Sequence, residues 1–204
     1  MLKNNLRKKS KKILKEYLKF KFKKDFQVFK ECLKIIKKNK AKRILLFIPL
    51  KSEPNLFKFR RLLNKNCELF VPFMQDKSLK IVKLRLPLKK KNFGVFEPNN
   101  SFLKVKKIDL AIIPVVAVDK NLKRIGYGKG FYDRFFYDLG YKPLTIFVQS
   151  INMLDNNNIT DFYDIKGDFY INPYKKYYRK EIINDNNNCS FYNLNRTWIR
   201  IFSC

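Results

Sequence analysis

Histidine is absent from all 204 residues. That one absence removes Ser-His-Asp and Cys-His nucleophilic catalysis, imidazole general bases and His-ligated metals together. Cysteine is scarce as well. Cys32, Cys67, Cys189 and Cys204 lie far apart and form no C-x-x-C pair, so neither a zinc knuckle nor a dithiol redox site is expected. No run of roughly eighteen or more apolar residues occurs, which argues against a membrane-spanning helix. The opening residues Met1-Leu2-Lys3-Asn4-Asn5-Leu6-Arg7 pass into charged helix rather than an apolar core, unlike a signal peptide. The cytoplasm is the expected compartment. Whatever chemistry occurs must run on carboxylates, Lys, Arg, Tyr, backbone amides and hard cations.

Acidic residues are the other shortage: 17 Asp and Glu stand against 46 Lys and Arg, for a formal net charge of +29. Two readings are open. One is a basic α/β protein that binds nucleic acid, since counterion release rewards any cationic surface. The other is a chain-wide drift toward Lys, Asn, Ile and Phe, the residues of A+T-rich codons. Lys is spread along the whole chain and far outnumbers Arg, and no Arg-rich or RNP-like signature appears. Either way, such a field steers anionic substrates inward.

What is present is a globular composition, 46% apolar. From Lys3 to Lys38 the spacing predicts one long or two consecutive amphipathic helices, with Leu6, Ile13, Leu14, Tyr17 and Leu18 on one stripe, continued by Phe22, Phe26 and Phe29. Alternating units follow. Arg43–Ile48, Leu69–Val71, Leu79–Leu84, Ile108–Ile113 and Leu144–Val148 read as strands. Glu53–Leu63, with Ser52 as N-cap and Pro54 in the first turn, reads as a helix, and so does Tyr132–Leu139. The polar tracts Asn156–Asn158 and Asn186–Asn188 suit loops. The pattern predicts an α/β layered fold with a mainly parallel central sheet flanked by helices. Residues 1–174 form a single domain with N-terminal helices over 1–40, and 175–204 form a basic, aromatic tail without a period.

The segment richest in chemistry is Arg124-Ile125-Gly126-Tyr127-Gly128-Lys129-Gly130-Phe131-Tyr132-Asp133-Arg134. Glycines at alternate positions let backbone N–H groups approach an anion, and the following helix adds its positive end. Lys129 and Arg124 can neutralise phosphate oxygens. Asp133 offers a hard oxygen to magnesium. Neither the Walker A pattern nor the dinucleotide fingerprint is met, because Gly130 follows Lys129 and the glycine spacing differs. From spacing alone, a structural turn and a phosphate cradle both remain open.

The wider segment resembles the signature of the 5-formyltetrahydrofolate cyclo-ligase family, in which P-x-x-A-F-D leads to R-L-G-x-G-x-G-Y-Y-D. Pro114, Ala117, Asp119, Arg124, Gly126, Gly128, Lys129, Gly130, Tyr132 and Asp133 match it, with Val118 for Phe, Ile125 for Leu and Phe131 for the first Tyr. Lys3-x-x-x-Arg7 resembles the family's N-terminal K-x-x-x-R, although alone these would read as solvated helix charges. Glu53 stands where the family has E-x-x-T, with Leu56 at the Thr position. Val71-Pro72, Gly94-Val95-Phe96-Glu97-Pro98 and Asp164-Ile165-Lys166-Gly167-Asp168 resemble further family segments, and Tyr163 stands where many relatives have His.

The resemblance implies an ATP-dependent, magnesium-dependent enzyme that converts 5-formyltetrahydrofolate, possibly polyglutamylated, to 5,10-methenyltetrahydrofolate with release of ADP and phosphate. It implies that Arg124, Ile125, Gly126, Tyr127, Gly128, Lys129, Gly130, Phe131 and Tyr132 hold ATP, with Lys3 and Arg7 closing over it. Asp133 and Asp164 would organise Mg2+. Glu53, Ile48 and Tyr132 would face the folate, and Lys129, Arg124 and Tyr132 would act in catalysis. Tyr132 read alone is equally a core residue at a helix start. A monomer that engages no membrane and needs no nucleic acid is expected. A related ATP-dependent enzyme with another substrate, or a relative that has lost activity, are the alternatives.

Overall fold

The computed structural model describes residues 2–16, 21–75, 78–91, 94–99, 105, 107–179 and 198–201, the last four and residues 15 and 16 as backbone only. Two helices open the chain, α1 (Leu2–Glu16) and α2 (Lys21–Lys38), followed by strand β1 (Arg43–Leu46). A 3-10 turn η1 (Leu56–Phe59) and a short α3 (Arg60–Asn64) lead to β2 (Glu68–Gln75) and β3 (Ser78–Lys83). Then come β4 (Lys89–Lys90), β5 (Phe96–Glu97), β6 (Leu110–Pro114), β7 (Ala117–Val118) and β8 (Arg124–Ile125). Helix α4 (Phe131–Asp138), β9 (Leu144–Val148), β10 (Phe169–Ile171), β11 (Lys176–Arg179) and β12 (Trp198–Ile201) complete the described elements.

The main sheet has the order β12-β11-β10-β9-β6-β1-β2-β3. Pairing is parallel from β10 through β9, β6 and β1 to β2, and antiparallel at β10–β11 and β2–β3. The α/β fold with a mainly parallel sheet is as expected. Its central strands are apolar without interruption because both faces are covered. The two faces are read out by strict alternation: Ile44, Leu46, Leu110, Ile112, Ile146, Val148 and Ile171 pack with α2 and η1. Leu45, Ala111, Ile113, Phe147 and Tyr170 pack with Phe135 of α4 on the other.

Helix α2 meets the first face through Val28, Phe29, Cys32, Ile35 and Ile36, a three-to-four-residue spacing, against Leu56, Phe59 and Leu63. Each fully buried large side chain here contributes about 1.5–3 kcal/mol. Phe22 and Phe26 are more exposed, yet their rings lie 5.5 and 5.2 Å from that of Phe59. Helix α1 lays Leu6, Ile13 and Leu14 on Ala117, Ile125, Ile151 and Met153. Ser10 adds a hydrogen bond to the Val116 carbonyl. Tyr17 and Leu18 lie outside the described residues.

Several elements differ from expectation, among them β2, which runs through Pro72 to Gln75 instead of ending at Val71. Strand β1 stops at Leu46, and Ile48 lies in the loop beyond it. In place of a helix over Glu53–Leu63 the chain makes the turn η1 and then α3, capped at Asn55, whose side chain accepts the Lys58 N–H. Ser52 caps nothing; its hydroxyl shares a 2.8 Å hydrogen bond with Tyr127. Beyond Tyr174, Lys176–Arg179 pairs with β10, and Lys176 forms an ion pair with Glu31 of α2. Asn186–Asn188 lie outside the described residues. Among the described residues no helix is long and apolar enough to cross a membrane.

Candidate active site

The order of the sheet reverses between β1 and β6: the chain runs outward from β1 through β2 to β3, then returns to β6 and proceeds the other way. Beyond the ends of parallel strands such a reversal opens a crevice. Here it holds a cavity of about 610 Å³, lined by Phe47 and Ile48 after β1, Pro72 and Met74 in β2, and Pro114 at the end of β6.

One wall is the glycine loop. Strands β7 and β8 form a small antiparallel hairpin whose turn is built around Asp119. Asp119 is buried and accepts hydrogen bonds from the Asn121 and Lys123 amides and the Thr160 hydroxyl. The Arg124 amide donates to Ile165 at 2.8 Å, tying β8 to the Asp164–Asp168 segment. The chain then turns through Gly128 (φ +100°) and Gly130 (φ +66°), left-handed conformations that disfavour side chains, into α4. Gly126 to Gly130 therefore pass across the cavity just before the positive end of a helix.

Positive charge converges on this loop from two directions. Arg124, largely buried, places Nη1 3.5 Å from Asp133 Oδ2 and its guanidinium 4.9 Å above the Tyr132 ring. From α1, Lys3, Arg7 and Lys11 follow one another at four-residue spacing on the face toward the cavity. Arg7 Nε donates to the Gly126 carbonyl at 2.8 Å, and Lys3 Nζ lies 2.5 Å from both Asp161 Oδ2 and Asp164 Oδ2. Burial works against the Lys3 charge, but these two carboxylates outweigh it and its pKa stands above the ordinary lysine value. Hydrogen bonds from Lys3 and then from Tyr163 hold Asp161 below the ordinary carboxylate value.

Another part of the lining is apolar and holds the buried carboxylate Glu97, while buried Glu53 lies within electrostatic reach of Arg124 and Tyr132 on the glycine loop. Glu53 Oε2 accepts the Leu50 N–H at 2.9 Å. Burial pushes its pKa up to about 7, with the Leu50 amide, Arg124 and Lys21 opposing. Burial likewise raises the hydroxyl of Tyr132. Leu56, at the family's Thr position, is turned away into the core with α2.

A family model, 5-formyltetrahydrofolate cyclo-ligase family, matches residues 1–151. The chain belongs to the 5-formyltetrahydrofolate cyclo-ligase family. It is 34% identical over 116 residues to the 5-formyltetrahydrofolate cyclo-ligase of Haemophilus influenzae, a stretch covering 52% of this chain and 62% of that protein. To the enzyme of the same name from Mycoplasma genitalium it is 29% identical over 116 residues, covering 55% and 61%. The matches thus span less than two thirds of these relatives. Among solved structures, the fold matches Aquifex aeolicus 5,10-methenyltetrahydrofolate synthetase with a TM-score of 0.71 at 24% identity, over 96% of this chain and 100% of that one. A 5,10-methenyltetrahydrofolate synthetase from Mycoplasma pneumoniae matches with a TM-score of 0.63 at 25% identity, over 85% and 99%.

Within this cyclo-ligase fold, the residues to which the resemblance gives a binding or catalytic role line the same cavity: Lys3, Arg7, Ile48, Glu53, Arg124 through Asp133, and Asp164. Asp161, Lys11, Phe47, Met74 and Leu79 also line it and carried no signal in the sequence beyond their types. Tyr163 joins them, donating from its hydroxyl to Asp161 at 2.9 Å. The two acids of Asp164–Asp168 part company. Asp164 faces the cavity, whereas Asp168 accepts the Thr145 amide and pairs with Lys142 and Arg179 at the sheet.

Proposed function

We propose that this chain converts 5-formyltetrahydrofolate and ATP to 5,10-methenyltetrahydrofolate, ADP and phosphate, with magnesium. The observation that carries this reading is one cavity with two unlike walls. The cationic glycine loop under α1 suits a triphosphate, and the apolar lining that continues from it past buried Glu53 suits a flat, partly polar ring. The family membership and the names of the relatives support it.

A formamide oxygen is a poor leaving group, so closure by the folate's N10 onto the formyl carbon is slow. Attack of that oxygen on the γ-phosphorus of ATP, with ADP leaving, makes an imidoyl phosphate. N10 then adds to the carbon and releases its proton to solvent, and phosphate departs with the former formyl oxygen. No protein nucleophile is needed, in keeping with a chain that has no His. The protein's task is alignment and charge neutralisation. Arg124 and Lys129, with the loop amides of Gly126, Tyr127, Gly128, Gly130 and Phe131 and with Ile125 beneath, hold the triphosphate. Lys3 and Arg7 cover it from α1. Tyr132, stacked under Arg124, orients that guanidinium and borders the formyl end. Glu53 and Ile48 receive the folate ring system.

The carboxylates Asp133 and Asp164 fit magnesium. Both are hard oxygen donors on the cavity wall, and the Ile165 amide beside Asp164 donates to Asp133 Oδ1 at 3.4 Å, so the two lie on touching segments. Among the described residues no cluster of three or more acidic or cysteine ligands occurs. The remaining ligands would be phosphates and water, as magnesium prefers. When bound it neutralises charge on the transferring phosphoryl group.

The test is direct. Purified protein with ATP, magnesium and 5-formyltetrahydrofolate should generate methenyl absorbance and release phosphate in equal amounts. ATP turnover without folate, or no methenyl product, would overturn the reading.

A further inference from the structure

We propose that Glu97 selects the substrate by its pterin ring, its carboxylate accepting the amino and ring N–H groups of the aminopyrimidine edge. This rests on the substrate class proposed above and assigns it a recognition residue on the apolar wall.

Glu97 lies in β5, 2% exposed, and faces the cavity beside Met74, Leu79 and Val95. Its Oε1 accepts the Met74 N–H at 2.7 Å. Strand β1 pairs with β2 only as far as Phe70, so among the described residues no strand pairs with the later amides of β2 on that side, and Glu97 accepts from one of them. A glutamine would serve that amide as well without bringing charge into an apolar wall. Of the buried acids among the described residues, Glu31 pairs with Lys34 and Lys176 and Asp168 with Lys142 and Arg179, whereas Asp25, Glu53 and Asp119, like Glu97, form no ion pair. Of these four only Glu53 and Glu97 line the cavity. Among the described residues no Lys or Arg forms an ion pair with Glu97.

A buried carboxylate without a cation is unfavourable unless hydrogen-bond donors reach it. A carboxylate has about four lone-pair positions, of which Met74 takes one. A ligand carrying two adjacent N–H donors on a flat apolar ring matches what remains, and a pterin's 2-amino group and N3–H are such a pair.

The experiment is calorimetric titration of the full chain with 5-formyltetrahydrofolate and with its 2-desamino-2-methyl analogue, which keeps the ring but lacks the amino donors. Wild type should bind the analogue about tenfold or more weakly. Glu97→Gln should bind the natural compound weaker by a similar factor, bind ATP as wild type does, and discriminate the two folates far less. A wild type indifferent to the missing amino group overturns the proposal, and so does an E97Q variant with wild-type affinity. If E97Q fails to fold, Glu97→Asp, which keeps the charge but draws the carboxylate back from the ring, takes its place and should lose the same discrimination, and an E97D variant that discriminates as wild type does overturns the proposal. A wild type that binds ATP but no 5-formyltetrahydrofolate overturns both this assignment and the substrate class, whereas the other failures leave the substrate class standing.

Discussion

The guanidinium of Arg124 occupies the space a side chain on Gly126 would enter: a Cβ there would lie 2.5 Å from Nη2 and 2.6 Å from Cζ. Gly126 is thus a glycine for the sake of its neighbour's charge, while Gly128 and Gly130 are glycines for their positive φ. Alternate glycines that look alike in the sequence answer two different demands.

Gly126→Ala should therefore leave the fold intact but displace Arg124 from Asp133 and from the Tyr132 ring. A misplacement of about 1 Å at a reacting centre can cost on the order of a hundredfold in rate. We expect kcat/KM for ATP to fall roughly ten- to a hundredfold, with circular dichroism unchanged. Arg124→Lys should do comparable damage, because an ammonium reproduces neither the planar stack nor the fork. Steady-state kinetics with ATP varied gives the answer, and wild-type values in G126A would show that the crowding has no bearing on nucleotide use.

Glu53 gives a pH signature. Its ordinary value is 4.5 and burial raises it to about 7, so between those limits the folded chain holds a proton that the unfolded chain has released. Stability from this group is full below about pH 4.5 and is lost as pH rises through about 7. Each tenfold change in proton affinity is about 1.4 kcal/mol, so the total is ~3 kcal/mol at most. Thermal unfolding of Glu53→Gln should lack that decline. The difference in stability between E53Q and wild type should therefore grow in favour of the variant from pH 5 to pH 8. A difference independent of pH would mean that Glu53 is ionised throughout.

The sequence made the glycine loop and the buried strands legible because their causes are local. Leu144–Val148 is a largely apolar run bounded by Pro143 and Gln149, and the strand has those limits. The segment after Glu53 departs from the local pattern because a tertiary demand overrides local propensity there. Leu56 must reach the core beneath α2, and a tight turn at Leu56–Phe59 delivers it where a regular helix from Glu53 was expected. Asp161 was invisible for another reason. A single acid in a polar loop acquires meaning only from Lys3, 158 positions away, which no periodicity records. Lys176–Arg179 lacks an apolar run and owes its place to pairing with β10 and to the buried contact of Lys176 with Glu31.

Gly167 lies in the same short segment as Asp164, yet its function is packing. A Cβ there would come within 2.6 Å of the Phe147 ring, which is fully buried between sheet and hairpin and has nowhere to retreat. Overpacking of this kind typically costs 1–3 kcal/mol, so Gly167→Ala should lose about 2 kcal/mol of stability. The urea midpoint should fall while KM for both substrates, measured where the protein is still folded, stays near wild type. A KM change without loss of stability would place Gly167 in the site instead.

Lys3→Ala should move two measurements in opposite directions. The Lys3 ammonium sits 2.5 Å from carboxylate oxygens of both Asp161 and Asp164, the oxygens a divalent ion would seek. A metal arriving alone must compete with it. ATP, by contrast, offers the ammonium a phosphate and draws it away from the acids. Removing Lys3 should thus tighten the binding of Mn2+ alone by roughly fivefold, a modest factor because the Asp161 half of the contact is open to water. The same change should raise KM for ATP about tenfold, through loss of a charge-assisted contact. Thermal stability should hardly alter, since α1 is held by Leu6, Ile13 and Leu14 rather than by this pair. Electron paramagnetic resonance of free Mn2+ in a nucleotide-free titration reads the first effect. If K3A takes up the ion no more tightly than wild type, then the lysine and the metal do not contend for Asp164, and the assignment of that carboxylate to magnesium loses its support.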